Sequence, residues 1–395
     1  HGVVYIKNGG TIEYARNGIT TSKYDEFYNT AYYGGVILAT NANFINNRRS
    51  VEFMLYNYNN LLGADDNVSE FKECVFEVND DFPCTETLFS HISMWNVHGV
   101  DLLGNTYKDL RETCTNSDTK AIYSIDATYK VANIPCPTPP DPCPVPLPVV
   151  SSFEGFVYPV FAANTTYLPR DIEISGNEFT DNFRAILLSG VKNSLVINNS
   201  FEVQDQSTLN CYGMYLESCE NYHIENNYFT TFGSYINGSP FNAGIYVQNN
   251  SNAVTEIYRN NFEYLEAGIR SQSNNKKLQI KCNKFISGIR RHDIYVTSGE
   301  LGDQGRCLNI GFSLEERVQS PAGNIYSHDC YGTEGDFKVF PGLPPLLYKH
   351  HTPAAYVPQC FTTSLITLQD CNLDPDEGGY VACPSRDRKS TRLNS

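Results

Sequence analysis

The sequence predicts an all-β chain, wound as a right-handed parallel β-helix of about ten coils with a loop-rich C-terminal segment, and three observations predict it. A six-residue phrase, aliphatic-x-x-Asn-x-Phe, occurs five times: "ISGNEF" from Ile174, "VINNSF" from Val196, "IENNYF" from Ile224, "IYRNNF" from Ile257 and "IKCNKF" from Ile280. Its aromatic ends, Phe179, Phe201, Phe229, Phe262 and Phe285, lie 22 to 33 residues apart, a period typical of solenoids. A Gly or Ala opens an alternating strand ahead of four of the five phrases: Ala185, Gly213, Gly244 and Gly268 precede Asn199, Asn227, Asn260 and Asn283 by 14, 14, 16 and 15 residues. Finally, no amphipathic helical stretch is long enough to serve as a crossover, which excludes βαβ units. Parallel strands without helices require a chain that coils and stacks each strand on its predecessor, about 4.8 Å away.

The chemistry of the phrase explains its recurrence. The aliphatic residue points into the core, the chain turns, and the Phe re-enters the core from the next sheet. The turn needs residues that tolerate the left-handed region, and Gly176, Asn198 and Asn226 stand just before the repeat Asn. The Asn itself, at 177, 199, 227, 260 and 283, is expected to stack amide on amide and to satisfy buried backbone groups. Burying each Phe contributes on the order of 1.5–3 kcal/mol. Looser copies ending at Phe44, Phe76, Tyr107 and Tyr326 extend the array in both directions.

Residues 1–334 form the solenoid, with the Pro-rich stretch 134–150 as a loop inserted in one coil, because "AIYSIDATYKV" and "GFVYPVFAAN" around it both read as strands. Residues 335–386 lose the repeat and read as a loop-rich cap or linker. The basic ending 387–395, "DRKSTRLNS", contrasts with the acidic body and is expected to be a non-native tail. The chain opens on His1 directly into strand-like sequence, so flanking domains of the same protein are expected beyond it.

Composition bounds the function. With 29 Lys and Arg against 44 Asp and Glu the formal charge is −15, and no basic cluster interrupts the body, which argues against a nucleic-acid partner. No apolar run is long enough for a membrane-spanning helix. The 13 cysteines form no Cys-x-x-Cys. Cys136 and Cys143 bracket "CPTPPDPC" as a small disulfide loop, Cys360, Cys371 and Cys383 cluster near the end, and Cys282, inside a repeat, is expected to be a reduced core residue. The widely spaced cysteines favour an exported, oxidising location.

On these residues the Gly-Ile strand followed by aliphatic-x-x-Asn-x-Phe resembles the parallel β-helix repeat of the pectate-lyase-like superfamily, over roughly residues 10–330. More narrowly, "RRSVEFM", "HISMWNVHGVDLLGNTY" and "AIYSID" resemble large secreted or surface-anchored β-helix proteins of bacteria, many with a C-terminal sorting domain. The resemblance implies a secreted or cell-surface bacterial protein, and it is specific for fold and not for function, since lyases, hydrolases, adhesins and stalks share it.

The residues that sugar-active chemistry needs are present only in part. Polygalacturonase-type hydrolases, by resemblance, use neighbouring aspartates with a His-Gly and an Arg-Ile-Lys; this chain offers Asp65, Asp66, His98 and Gly99 but lacks the third element, and His98 is already part of a repeat. Asp80 and Asp81 read as a loop. Alternation places Ile186, Met214, Ile245, Ile269 and Ile294 inward, so Leu187, Tyr215, Tyr246, Arg270 and Tyr295 face outward, followed by Ser189, Glu217, Gln248, Gln272 and Thr297. One carboxylate and one Arg are too few for calcium-assisted proton abstraction. Tyr215, Glu217, Tyr246, Gln248, Arg270, Gln272 and Tyr295 suit a sugar chain instead, by ring stacking and hydrogen bonds, while a purely structural tyrosine ladder accounts for them as well. No cofactor is expected; Asn372, Asp374 and Asp376 follow a calcium-loop spacing, but Glu377 replaces the turn Gly and Cys383 the closing Glu, so an acidic turn is expected with Ca2+ as the alternative. The expectation is a non-catalytic adhesive or glycan-contacting stalk, with a polysaccharide lyase or glycoside hydrolase as the alternative and a structural spacer as the third reading.

Overall fold

The computed structural model describes residues 3–21, 35–54, 69–83, 87–111, 118–134, 149–166, 168–204, 210–231, 241–250, 253–286, 288–307, 321–327, 335–372 and 383. Among these residues every third strand falls in the same sheet, giving two ten-stranded sheets and one eleven-stranded sheet. Pairing is parallel throughout, with residues of one coil directly over those of the next: Val196 pairs with Ile224, Ile224 with Ile257, Ile257 with Ile280. This is a right-handed parallel β-helix of ten coils, numbered here from the coil that begins at Val3. Gly335–Val339 adds the last strand of the third sheet by pairing with His292–Val296, and Leu346–His350 pairs with Ile366–Asp370 in a separate two-stranded sheet.

The corner between the first and second sheets is built as the repeat predicts. Asn198 and Asn226 adopt φ of 57° and 56° and Gly176 of 67°, so each supplies the left-handed turn. The next residue forms the ladder: the Nδ2 of Asn177 donates to the Oδ1 of Asn199 at 2.9 Å, Asn199 to Asn227 at 2.9 Å, Asn227 to Asn260 at 3.0 Å and Asn260 to Asn283 at 3.1 Å. Each Oδ1 also accepts the backbone N–H of the preceding Asn, and each Nδ2 also donates to an aliphatic carbonyl, as Asn227 does to Val196 at 2.9 Å. The ladder runs on to Asn324 beyond Asn283. Toward the N-terminus Ser151 and Asn105 hold the same corner, the N–H of Asn105 donating to the Ser151 hydroxyl at 3.2 Å.

Inside the corner, the rings stack in one column from Phe44 through Phe76, Tyr107, Phe153, Phe179, Phe201, Phe229, Phe262 and Phe285 to Tyr326, with centroids 4.6–5.9 Å apart. The column also explains the preceding glycines. A Cβ on Gly213 would lie 2.6 Å from the ring of Phe229, on Gly244 2.6 Å from Phe262, and on Gly268 2.4 Å from Phe285. Glycine is there because the ring occupies the space a side chain would take.

The cysteines correct one expectation. Cys282 is not a reduced core thiol: it is joined to Cys383, and Cys307 is joined to Cys371. Cys282 occupies the left-handed corner position (φ 58°), where its side chain leaves the core and meets the C-terminal segment. Cys74 and Cys219 are buried thiols, pushed up to about 11 and about 12 by desolvation. The bulk of the Pro-rich stretch, with Cys136 and Cys143, lies outside the described residues, as do Asp65, Asp66, Asp374, Asp376 and 387–395.

Candidate functional site

The outer face of the third sheet assembles the outward row read from the sequence. Tyr215 pairs with Tyr246, Tyr246 with Arg270, and Arg270 with Tyr295; one step along the strands, Glu217 pairs with Gln248 and Gln248 with Gln272. The rings of Tyr215 and Tyr246 stack with centroids 4.9 Å apart and planes 9° apart. Each hydroxyl donates diagonally to the glutamine one coil on: Tyr215 to the Oε1 of Gln248 at 2.8 Å, Tyr246 to that of Gln272. Burial and the nearby Glu217 push the Tyr215 hydroxyl up to about 12, so it stays protonated and donating at neutral pH.

Exposure separates these residues. Tyr215, Glu217, Gln248, Arg270, Gln272 and Tyr295 are half-buried, but Tyr246 is only 5% exposed. The Arg270 guanidinium lies 5.0 Å from the Tyr246 ring centroid and 4.8 Å from that of Phe241, which closes the tyrosine's outer side. The solvent-facing elements of this patch are therefore the Tyr215 ring, the amides and the Arg270 edge, with Tyr246 packed beneath them.

The strip is longer than the row read from the sequence, and Lys120 and Arg184 add cations to the one, Arg270, that the row already held. Tyr212 packs against both tyrosines, at 6.0 Å from Tyr215 and 5.0 Å from Tyr246. Arg184 donates to the Tyr158 hydroxyl at 2.6 Å and lies over the Tyr158 and Tyr212 rings. Lys120 sits 5.7–5.8 Å from the rings of Tyr123, Tyr158 and Phe161. Such contacts each hold a cation flat against an aromatic surface. Among the described residues neither Arg184 nor Arg270 has a carboxylate within salt-bridge distance, whereas Lys120 is paired with Asp118. Alternation hid them: Lys120 pairs with Tyr158 and Arg184 with Tyr212 in columns two residues before the inward Ile122, Ile186 and Met214, where strict alternation points a side chain inward.

Of the hydrolase-like fragments, His98 and the Asp80–Asp81 pair lie among the described residues. His98 contacts Arg170, which also donates to Asn96 at 2.9 Å, and burial followed by the Arg170 charge lowers its pKa. Asp80 and Asp81 lie in a turn. Among the described residues no three His, Cys, Asp or Glu side chains are grouped to hold a metal ion, and no helix is long and apolar enough to cross a membrane.

Residues 155–300 match the family described as periplasmic copper-binding protein (NosD). No curated protein matches the chain. Among solved structures, a mutant tailspike protein of E. coli bacteriophage HK620, in complex with a pentasaccharide, is similar at 10% identity and a TM-score of 0.35, covering 96% of this chain and 69% of that one.

Proposed function

We propose that this parallel β-helix is an exported bacterial protein segment, secreted or displayed at the cell surface, acting as a non-catalytic stalk whose third-sheet face contacts a polysaccharide. The observation that carries the reading is the strip of stacked aromatics with interleaved cations along one flat sheet, bordered by the amides of Gln248 and Gln272. Aromatic faces with a few fixed polar groups suit a ring-shaped, hydroxyl-rich ligand. Export is supported by the Cys282–Cys383 and Cys307–Cys371 disulfides and by the periplasmic description of the matched family.

Copper, named in that family's description, does not fit the residues here. Within the matched stretch Cys219 is a buried thiol held well above its ordinary pKa, Cys282 is in a disulfide, and His223 and His292 lie on different sheets. Copper is therefore not part of the proposal. The burial of Tyr246 favours the spacer as the second reading. A glycan array probed with the recombinant chain separates the two, and a reducing-end assay on whatever is captured tests the non-catalytic role. Capture that Tyr215→Ala weakens about tenfold, ~1.4 kcal/mol, without release of fragments is the expected result. Fragment release overturns the non-catalytic role, and no capture leaves a spacer.

A further inference from the structure

The same face opens, nearer the N-terminus, into a cavity of about 190 Å³ shared by coils 2, 3 and 4. Met54, Trp95 and Ile125 stand side by side on neighbouring strands and form one side of it. Phe89 and Tyr123 meet edge to face at 5.4 Å on another, and the Arg49–Glu52 pair forms the rim. Trp95 is 56% exposed, Met54 40% and Phe89 38%. Three large apolar side chains left open together mark a contact surface, whereas scattered exposure would not.

The rim indicates the occupant. Arg49 is held by Glu52 and lies 4.2 Å over the Phe89 ring, so the cavity presents a donor fork and a carboxylate that already balance each other. An anion would meet Glu52 on a chain of net charge −15, and a cation would have to displace Arg49. A neutral ring with an apolar face and a hydroxylated edge satisfies both halves: its C–H face lies on the Trp95 indole, while its hydroxyls donate to Glu52 and accept from Arg49. The geometry points to a binding site for a neutral pyranose unit of a glycan, centred on Trp95. The ligand class rests on the glycan reading above. Four strand steps separate Trp95 from Tyr215, roughly 19 Å at the usual strand spacing, so one oligosaccharide laid along the axis reaches both.

Trp95 is the single tryptophan of the chain, so its emission reports on this cavity alone. The intact chain is titrated with neutral gluco-, galacto- and manno-oligosaccharides, and with oligogalacturonate as the acidic probe, while tryptophan emission is followed. A saturable blue shift with a neutral sugar and none with oligogalacturonate is expected. Glu52→Gln should weaken the binding about tenfold with little change in the unliganded spectrum, and Trp95→Ala should abolish the neutral-sugar heat in calorimetry. A shift produced only by the acidic probe overturns the ligand class, and emission unmoved by every sugar overturns the site. Concentration-dependent dimerisation that Trp95→Ala abolishes assigns the cavity to a second copy and also overturns it. Array capture lost in Tyr215→Ala but intact in Trp95→Ala overturns this site while leaving the earlier reading in place; no capture by the unsubstituted chain removes both.

Discussion

Asn227 carries more of the structure than its size suggests, because one side chain serves three coils. Its Oδ1 accepts from the N–H and the Nδ2 of Asn199, and its Nδ2 donates to Val196 and Asn260. Asn227→Ala leaves several of these groups buried and unpaired, so denaturant unfolding should show a loss of about 2–4 kcal/mol; an unchanged midpoint would refute the ladder as a stabilising device. Phe229→Ala removes one ring from the column between Phe201 and Phe262 and is expected to cost about 3–5 kcal/mol in the same assay. Histidines set a pH limit. Desolvation holds His91, wedged between Phe76 and Phe156, down to about 3, and His292 down to about 4. Below an unfolded pKa of about 6.5 the unfolded chain takes up protons that the folded chain refuses. Stability is thus full above that pH and falls as pH drops through it, by about 1.4 kcal/mol per pH unit for each histidine, until about 4 for His292 and about 3 for His91. His91→Phe, which keeps a ring in place, should flatten the slope of melting temperature against pH. These single positions differ in legibility: the Asn and Phe were readable because the repeat states them five times, but Ser151 was not, since a hydroxyl replaces the amide there.

At the level of the strand and its corner, glycine and ring form a matched pair across the coil. Gly244→Ala would drive a methyl to within 2.6 Å of Phe262, and overpacking of this kind costs about 1–3 kcal/mol. The double variant with Phe262→Leu should recover part of that loss, because the two sites share one volume; strictly additive costs in the unfolding cycle would show that they do not. The Gly-to-Asn interval was visible in the sequence, whereas its cause required the packing. The outer face shows the same division. Alternation placed Tyr215, Tyr246 and Arg270 correctly in one row, because the side-chain period of a strand is fixed at two. It gave no warning that Phe241 and Arg270 cover Tyr246, since Phe241 reaches the face from the residue just before its strand. The Trp95 cavity was equally hidden: "HISMW" reads as an ordinary strand, and only the register beside Met54 and Ile125 reveals the open apolar floor.

For the molecule as a whole, a solenoid is held by contacts between neighbouring coils, so its ends decide where it opens first. At the C-terminal end both columns finish on one residue. Tyr348, fully buried, stands 6.0 Å from Tyr326 at the foot of the ring stack, and its hydroxyl accepts from the Nδ2 of Asn324 at the foot of the ladder. The Cys282–Cys383 bridge ties the later chain back to the corner of coil 10, across 101 residues of sequence. Closing a loop of that length stabilises by about 4–5 kcal/mol on the chain-entropy account, but in an array the effect should be local. In Cys383→Ser, hydrogen exchange should accelerate in Leu278–Lys281, Lys284–Phe285 and Leu346–His350. The amides of His98–Leu103, six coils away, should keep their protection. Because the Asn ladder passes directly from coil to coil, the loss should fade through Asn260 and Asn227 and not stop at one boundary. Uniform acceleration along the whole chain would mean that the coils melt as one unit, and the nearest-neighbour account of this fold would fall with it.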